Sequence, residues 1–185
     1  MFYNCPLRQA ALNNANTEYT RCVDLITRFA VHNSQVSFVC KKIGASKADV
    51  HSSHSSSIVE NIKMLYGSNV ADELLPFSWM LEEDVFEQAL SQDLASAISA
   101  RGYFSSSNYH QRSLTFILFT NGRLVRNDFL RKALENVYSK YLPKQCHPFI
   151  YLDLKLPPQI LDVNVHPTKH EVRFLHEVLV NKRFN

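Results

Sequence analysis

The chain has 185 residues, a hydrophobic share of 45% and a formal net charge of +3, which fits one compact domain or one domain with a short helical appendage. No apolar run reaches the roughly 20 residues that span a bilayer, and no charged-then-apolar leader is legible, so no membrane partner is expected. Cys5, Cys22, Cys40 and Cys146 form no C-x-x-C pair, so free thiols are expected rather than a redox motif or a zinc clip. The four glycines, at 44, 67, 102 and 122, are too scattered to build a P-loop or a dinucleotide loop.

Taken in chain order, residues 17–32 read as an amphipathic helix, with Tyr19, Cys22, Val23, Ile26, Phe29 and Ala30 at helical spacing. Residues 36–42 and 47–51 read as a strand pair joined as a hairpin, followed by a polar His/Ser loop at 51–57 whose two histidines are a weak metal signal. Ser57 suits the N-cap of a helix carrying Ile58, Ile62, Leu65 and Tyr66, and Gly67 suits its end. Residues 76–100 hold five acids and no base, and residues 82–96 within them read as an acidic surface helix. Residues 97–105 and 113–120 read as strands, the second nearly all apolar at Leu114–Phe119, as in a central strand covered on both faces.

Asn121-Gly122 is a tight-turn signal. Asn127 or Asp128 then caps a helix whose buried stripe is Phe129, Leu130, Ala133, Leu134, Val137, Tyr138 and Tyr141, with Arg131, Lys132, Glu135 and Lys140 on its open face. Residues 148–156 form another strand, ended by Pro157-Pro158. Hairpins mixed irregularly with helices give an α+β fold: a mixed β-sheet with helices packed on one face, preceded by an N-terminal helix.

The most informative stretch is Asp162-Val-Asn-Val-His-Pro-Thr-Lys-His-Glu-Val-Arg-Phe174. Val163 and Val165 alternate with polar residues, and Glu171 to Phe174 restart that period. Pro167 suits the second position of a type I turn, which puts Lys169 at or near the tip of the connection. A lysine held there can meet a phosphate oxygen. From spacing alone, a solvated turn lysine is the better reading.

This stretch resembles the signature of the MutL family of DNA mismatch-repair proteins, as does Phe119-Thr-Asn-Gly-Arg-Leu-Val125. The likeness runs from about residue 2 to 177 and is strongest from 118 to 177. Arg131-Lys-Ala-Leu-Glu-Asn-Val-Tyr138, Tyr141-Leu-Pro143 and His147-Pro-Phe149 are similar to the eukaryotic MutL homologue shared among MutL heterodimers. Phe2-Tyr-Asn-Cys-Pro-Leu-Arg8 resembles the motif that closes the family's ATPase domain, although Leu7 and Gln9 depart from it. Arg8 is carried over from that motif alone. The 77–100 segment looks like an insertion.

The resemblance implies a transducer domain of the ribosomal protein S5 domain 2-like fold. It divides the chain into the end of an ATPase domain with a linking helix at 1–33, the transducer at 34–177, and a truncated tail at 178–185. It implies that Lys169 touches the terminal phosphate of ATP, with Mg, in the complete protein. It further implies non-sequence-specific DNA binding, another MutL homologue as heterodimer partner, a MutS-type mismatch sensor upstream, and nuclear location. The family's Glu, Asn and glycine loops, which hold the nucleotide and its water, do not occur in this sequence. The tail at 178–185 also drifts away from the family, where a helix normally continues, so both ends are read as cut. No catalytic residue is expected in this chain, no bound cofactor for it alone, and no hydrolysis by it alone.

Three further candidates carry competing readings. Six Lys or Arg stand against two acids in residues 121–145. Arg123, Arg126, Arg131 and Lys132 form the candidate DNA patch, and contacts there would go to phosphates. The bland alternative is a solvated helix face with Arg131 or Lys132 pairing with Glu135. His166 and His170 sit four apart but flank Pro167 without a third ligand, so turn-stabilising roles are expected and no metal. Asp162 and Asn164 are read as shaping the turn. The rival to the mismatch-repair reading is a stand-alone nucleic-acid-binding or protein-interaction module without ATPase activity.

Overall fold

The computed structural model describes residues 3–10, 12, 14–54, 57–80 and 98–157, together with the backbone of 161–162 and 173–174. The chain divides into two compact units, residues 1–68 and 69–185.

The first unit opens with a short helix, α1 (Pro6–Ala10), and a long one, α2 (Ala15–His32). Asn14 caps α2 by accepting the Asn16 N–H at 2.9 Å. Val23, Ile26, Phe29 and Ala30 of the expected stripe are sheltered, whereas Cys22 lies exposed. A helix leaves its last four carbonyls without partners inside the helix. Two are satisfied from outside: Asn33 donates to the Phe29 carbonyl, and buried Asn61 donates to Ala30 at 2.8 Å.

The expected hairpin forms as β1 (Val39–Cys40) and β2 (Val50–His51), shorter than the sequence suggested. The chain beyond it stays tied through reciprocal bonds between Phe38 and Ser52. Helix α3 (Ile58–Tyr66) starts with the capping box that Ser57 allows. Ser57 Oγ accepts the Glu60 N–H, and the Glu60 carboxylate accepts the Ser57 N–H. Gly67 ends α3 at φ 100°, a conformation that favours glycine. A single turn, α4 (Ser68–Ala71), follows.

The second unit is built on a five-stranded mixed sheet of β3 (Leu74–Met80), β4 (Ser99–Ser105), β5 (Thr115–Thr120), β6 (Arg123–Leu124) and β7 (Phe149–Lys155), in the order β3-β4-β7-β5-β6. All neighbours are antiparallel except β5 and β7, which run parallel. A parallel pair needs a crossover, and the β6 turn with helix α5 (Asp128–Tyr138) supplies it. Leu130 and Leu134 of α5 pack with Ile150, Leu152 and Leu154 of β7, Leu118 of β5 and Ala100 of β4. This is the expected α+β architecture.

Four details differ from the sequence reading. Strand β7, not the 114–119 run, is the middle of the sheet, although Ile117, Leu118 and Phe119 are buried on both faces as expected. Strand β3 was not foreseen, and it carries Pro76, which lacks an N–H. It occupies the sheet edge, where a missing donor is tolerated. Phe129 and Tyr141, expected on the α5 stripe, are exposed: Phe129 leaves the contact face narrower, and Tyr141 lies in the turn past the end of the helix. The expected acidic helix at 82–96 lies outside the described residues.

Ser105 locks the elements at one end of the sheet. Its hydroxyl accepts the Phe149 N–H at 3.1 Å, and its carbonyl accepts the Tyr138 hydroxyl at 2.6 Å. Burial at that point pushes the Tyr138 hydroxyl pKa up.

Candidate nucleotide and nucleic-acid contacts

The end of β7 is where the most informative part of the sequence leaves the sheet. Asn121 and Gly122 both take positive φ, 50° and 77°. That pattern belongs to a type I′ turn, which matches the twist of the strands it joins. Asn121 does more than turn the chain. Its backbone N–H donates to Leu154 at 2.9 Å, its side-chain N–H donates to the Leu156 carbonyl at 2.8 Å, and its Oδ1 accepts the Leu156 N–H at 3.0 Å.

Beyond Leu156 and Pro157, β8 (Leu161–Asp162) and β9 (Arg173–Phe174) pair antiparallel, Leu161 with Phe174 and Asp162 with Arg173. The two ends of the lysine-bearing segment are thereby held side by side. Lys169 itself lies outside the described residues, as do Asn164, His166 and His170. Among the described residues, no group of three or more His, Cys, Asp or Glu could hold a metal ion.

Arg123, Arg126, Arg131 and Lys132 are all exposed. They come from one continuous stretch: β6, the link after it, and the first turns of α5. Asn127 fixes the start of that helix by accepting the Leu130 N–H at 2.7 Å. Arg131 lies 3.7 Å from Asp128 rather than pairing with Glu135, which instead lies 3.9 Å from His147. Arg123, Arg126 and Lys132 have no ion-pair partner among the described residues. Arg8, on α1, is exposed as well.

A buried carboxylate with its arginine partner was not foreseen. Asp153, in the middle of β7, is completely buried, and its Oδ2 accepts the Arg101 Nε–H at 3.0 Å. Arg101 is 67% exposed, and the second oxygen of Asp153 has no hydrogen-bond partner among the described residues. The only sequence signal was one acid in an otherwise apolar strand.

The family described as "DNA mismatch repair protein, C-terminal domain" matches residues 62–185. DNA mismatch repair protein Mlh1 of Dictyostelium discoideum is 39% identical, over 96% of this chain and 22% of that protein. The putative MutL protein homolog 1 of Schizosaccharomyces pombe is 41% identical, over 96% of this chain and 25% of that protein. A Thermoanaerobacter DNA mismatch repair protein MutL is 31% identical, over 96% of this chain and 26% of that protein.

Among solved structures, the N-terminal domain of a DNA repair protein aligns with a TM-score of 0.78 at 24% identity, covering all of this chain and 56% of that one. The Aquifex aeolicus MutL ATPase domain, complexed with ADP, aligns with a TM-score of 0.57 at 20% identity, covering 85% of this chain and 50% of that one. These two likenesses are of fold. The chain belongs to the DNA mismatch repair family that contains MutL and Mlh1. Within it, the chain is more similar to these eukaryotic homologues, at 39–41%, than to the bacterial MutL at 31%. The chain spans about a quarter of the length of these relatives.

Proposed function

We propose that this chain acts in DNA mismatch repair as the transducer part of a MutL-type ATPase, with Lys169 contacting the terminal phosphate of ATP. The family match carries this reading, together with the antiparallel closure at Leu161–Phe174 and Asp162–Arg173 of the segment that bears the lysine. The register supports it. The turn expected with Pro167 at its second position would face His166 with Lys169, and the two observed pairs are in step with that facing.

The described residues offer no phosphate cradle. Gly44, Gly67 and Gly122 lie in turns or at a helix end, and Gly102 is packed inside a strand. Nucleotide and Mg would therefore be held by an ATP-binding domain, and this chain would supply charge stabilisation and couple nucleotide state to domain docking. Under this reading the partners are DNA bound without sequence preference, another MutL homologue and a MutS-type mismatch sensor, and the protein works in the nucleus. The 1–33, 34–177 and 178–185 division describes family domains and is proposed on the same footing.

A stand-alone nucleic-acid-binding module is the second reading, favoured by Arg123, Arg126 and Lys132, which are exposed and have no ion-pair partner among the described residues. Steady-state ATP turnover separates the two once the ATP-binding domain is supplied. Lys169→Ala is expected to lower kcat by about 100-fold or more, the scale of losing one charge-stabilising contact. Turnover equal to the parent would remove the lysine assignment and leave the module.

A further inference from the structure

The Asn121 carboxamide is bonded to a residue 35 positions away in the chain, through both its donor and its acceptor. A carboxamide offers the same N–H and C=O pair as a peptide group. Here it meets both backbone groups of Leu156, as one further residue of strand β5 would. The turn prevents the backbone from doing this, since Asn121 already sits at φ 50°. The side chain therefore extends the β5–β7 pairing past Thr120 and Leu154, the last backbone pair.

Leu156 is also the last residue able to donate there, because Pro157 and Pro158 have no N–H. It is 5% exposed and belongs to the core cluster, so both its backbone and its side chain are held. β8 starts at Leu161, five residues later.

We infer that Asn121 is a positioning residue, fixing the direction in which the chain leaves β7 toward the β8–β9 ladder. Its bearing on catalysis rests on the Lys169 reading above: the clamp sets where the segment between β8 and β9 is presented. An asparagine chosen only for its turn would need its positive φ and nothing more. Its side chain would not need to reach Leu156.

Amide hydrogen exchange on this chain tests the clamp without reference to ATP. Asn121→Gly keeps the positive φ and removes the carboxamide. Asn121→Asp keeps the acceptor and sets a carboxylate against the Leu156 carbonyl. Both are expected to speed exchange at Leu156, and at Leu161, Asp162, Arg173 and Phe174, by tenfold or more, with β4 and α5 unchanged. Faster exchange confined to residues 121–124, or equal acceleration across the whole sheet, would overturn the inference.

Turnover with the ATP-binding domain supplied then addresses the link to the lysine. Asn121→Gly should lower kcat with little change in KM, and should have no added effect in a Lys169→Ala background. If exchange changes as expected but Lys169→Ala turns over normally, the clamp stands and the phosphate role of the lysine falls.

Discussion

Asp153 and Arg101 show how one residue can carry more risk than its neighbours. The carboxylate is fully buried, one oxygen has no partner among the described residues, and the other rests on Arg101. Removing one member of a buried ion pair leaves an uncompensated charge, a loss of about 3–5 kcal/mol. Solvent screens the exposed Arg101 end, so Arg101→Ala is expected to destabilise by about 2–3 kcal/mol in urea unfolding at unchanged m. Arg101→Ala with Asp153→Leu should recover most of that loss, because no charge remains buried.

Gly102 is a second fixed point. A Cβ there would lie 2.1 Å from the Tyr151 carbonyl oxygen, in the backbone of the central strand. Gly102→Ala should therefore cost more than about 3 kcal/mol, or prevent folding, because the clash is with a strand that cannot yield. Tyr66 gives a pH signature. Burial pushes its hydroxyl up to about 12 from 10.0. The protonated hydroxyl is favoured in the folded chain, so its contribution is fully present below pH 10 and is lost as pH rises from about 10 to about 12. Tyr66→Phe should flatten the alkaline fall in stability over that window.

At the level of elements, the local rules carried most of the reading. Ser57 with Glu60, Asn127 with Leu130, and Asn121-Gly122 each took the role their chemistry suggested. Losing one N-cap typically costs about 1 kcal/mol, so Ser57→Ala and Asn127→Ala should each lower stability by roughly that amount. An unchanged midpoint would mean the caps are replaced by solvent.

What escaped the sequence was set by position in the sheet. Strand β3 had no signal of its own in the sequence, and its Pro76 is tolerated because β3 is an edge. Phe129 fits the helical stripe but lies outside the sheet contact that the packing of α5 decides, and Tyr141 lies beyond the end of α5 at Tyr138, where the chain has turned. The Asn121 clamp was invisible for a similar reason: a side chain reaching 35 residues ahead leaves no periodicity to read. The candidate site was legible as a segment, 162–174, and as four cations in one stretch, but not as a set of contacts.

For the whole molecule, the exposed cations and the family fold meet in one expectation about DNA. Phosphate contacts release counterions, so each lost contact reduces the salt slope by about 1 and weakens binding alike on all sequences. Arg126→Ala with Lys132→Ala should lower the slope of log K against log salt by about 2, by that rule, with no change in sequence preference. An unchanged slope would assign the segment to solvent.

Equilibrium binding of ATP against ADP shows whether Lys169 meets the terminal phosphate. With the ATP-binding domain supplied, Lys169→Ala should bind ADP as the parent does while losing about tenfold in affinity for ATP, the equivalent of roughly 1.4 kcal/mol. If the variant binds ATP as tightly as the parent, or loses ATP and ADP equally, the lysine does not read the terminal phosphate and the transducer account fails at its main point.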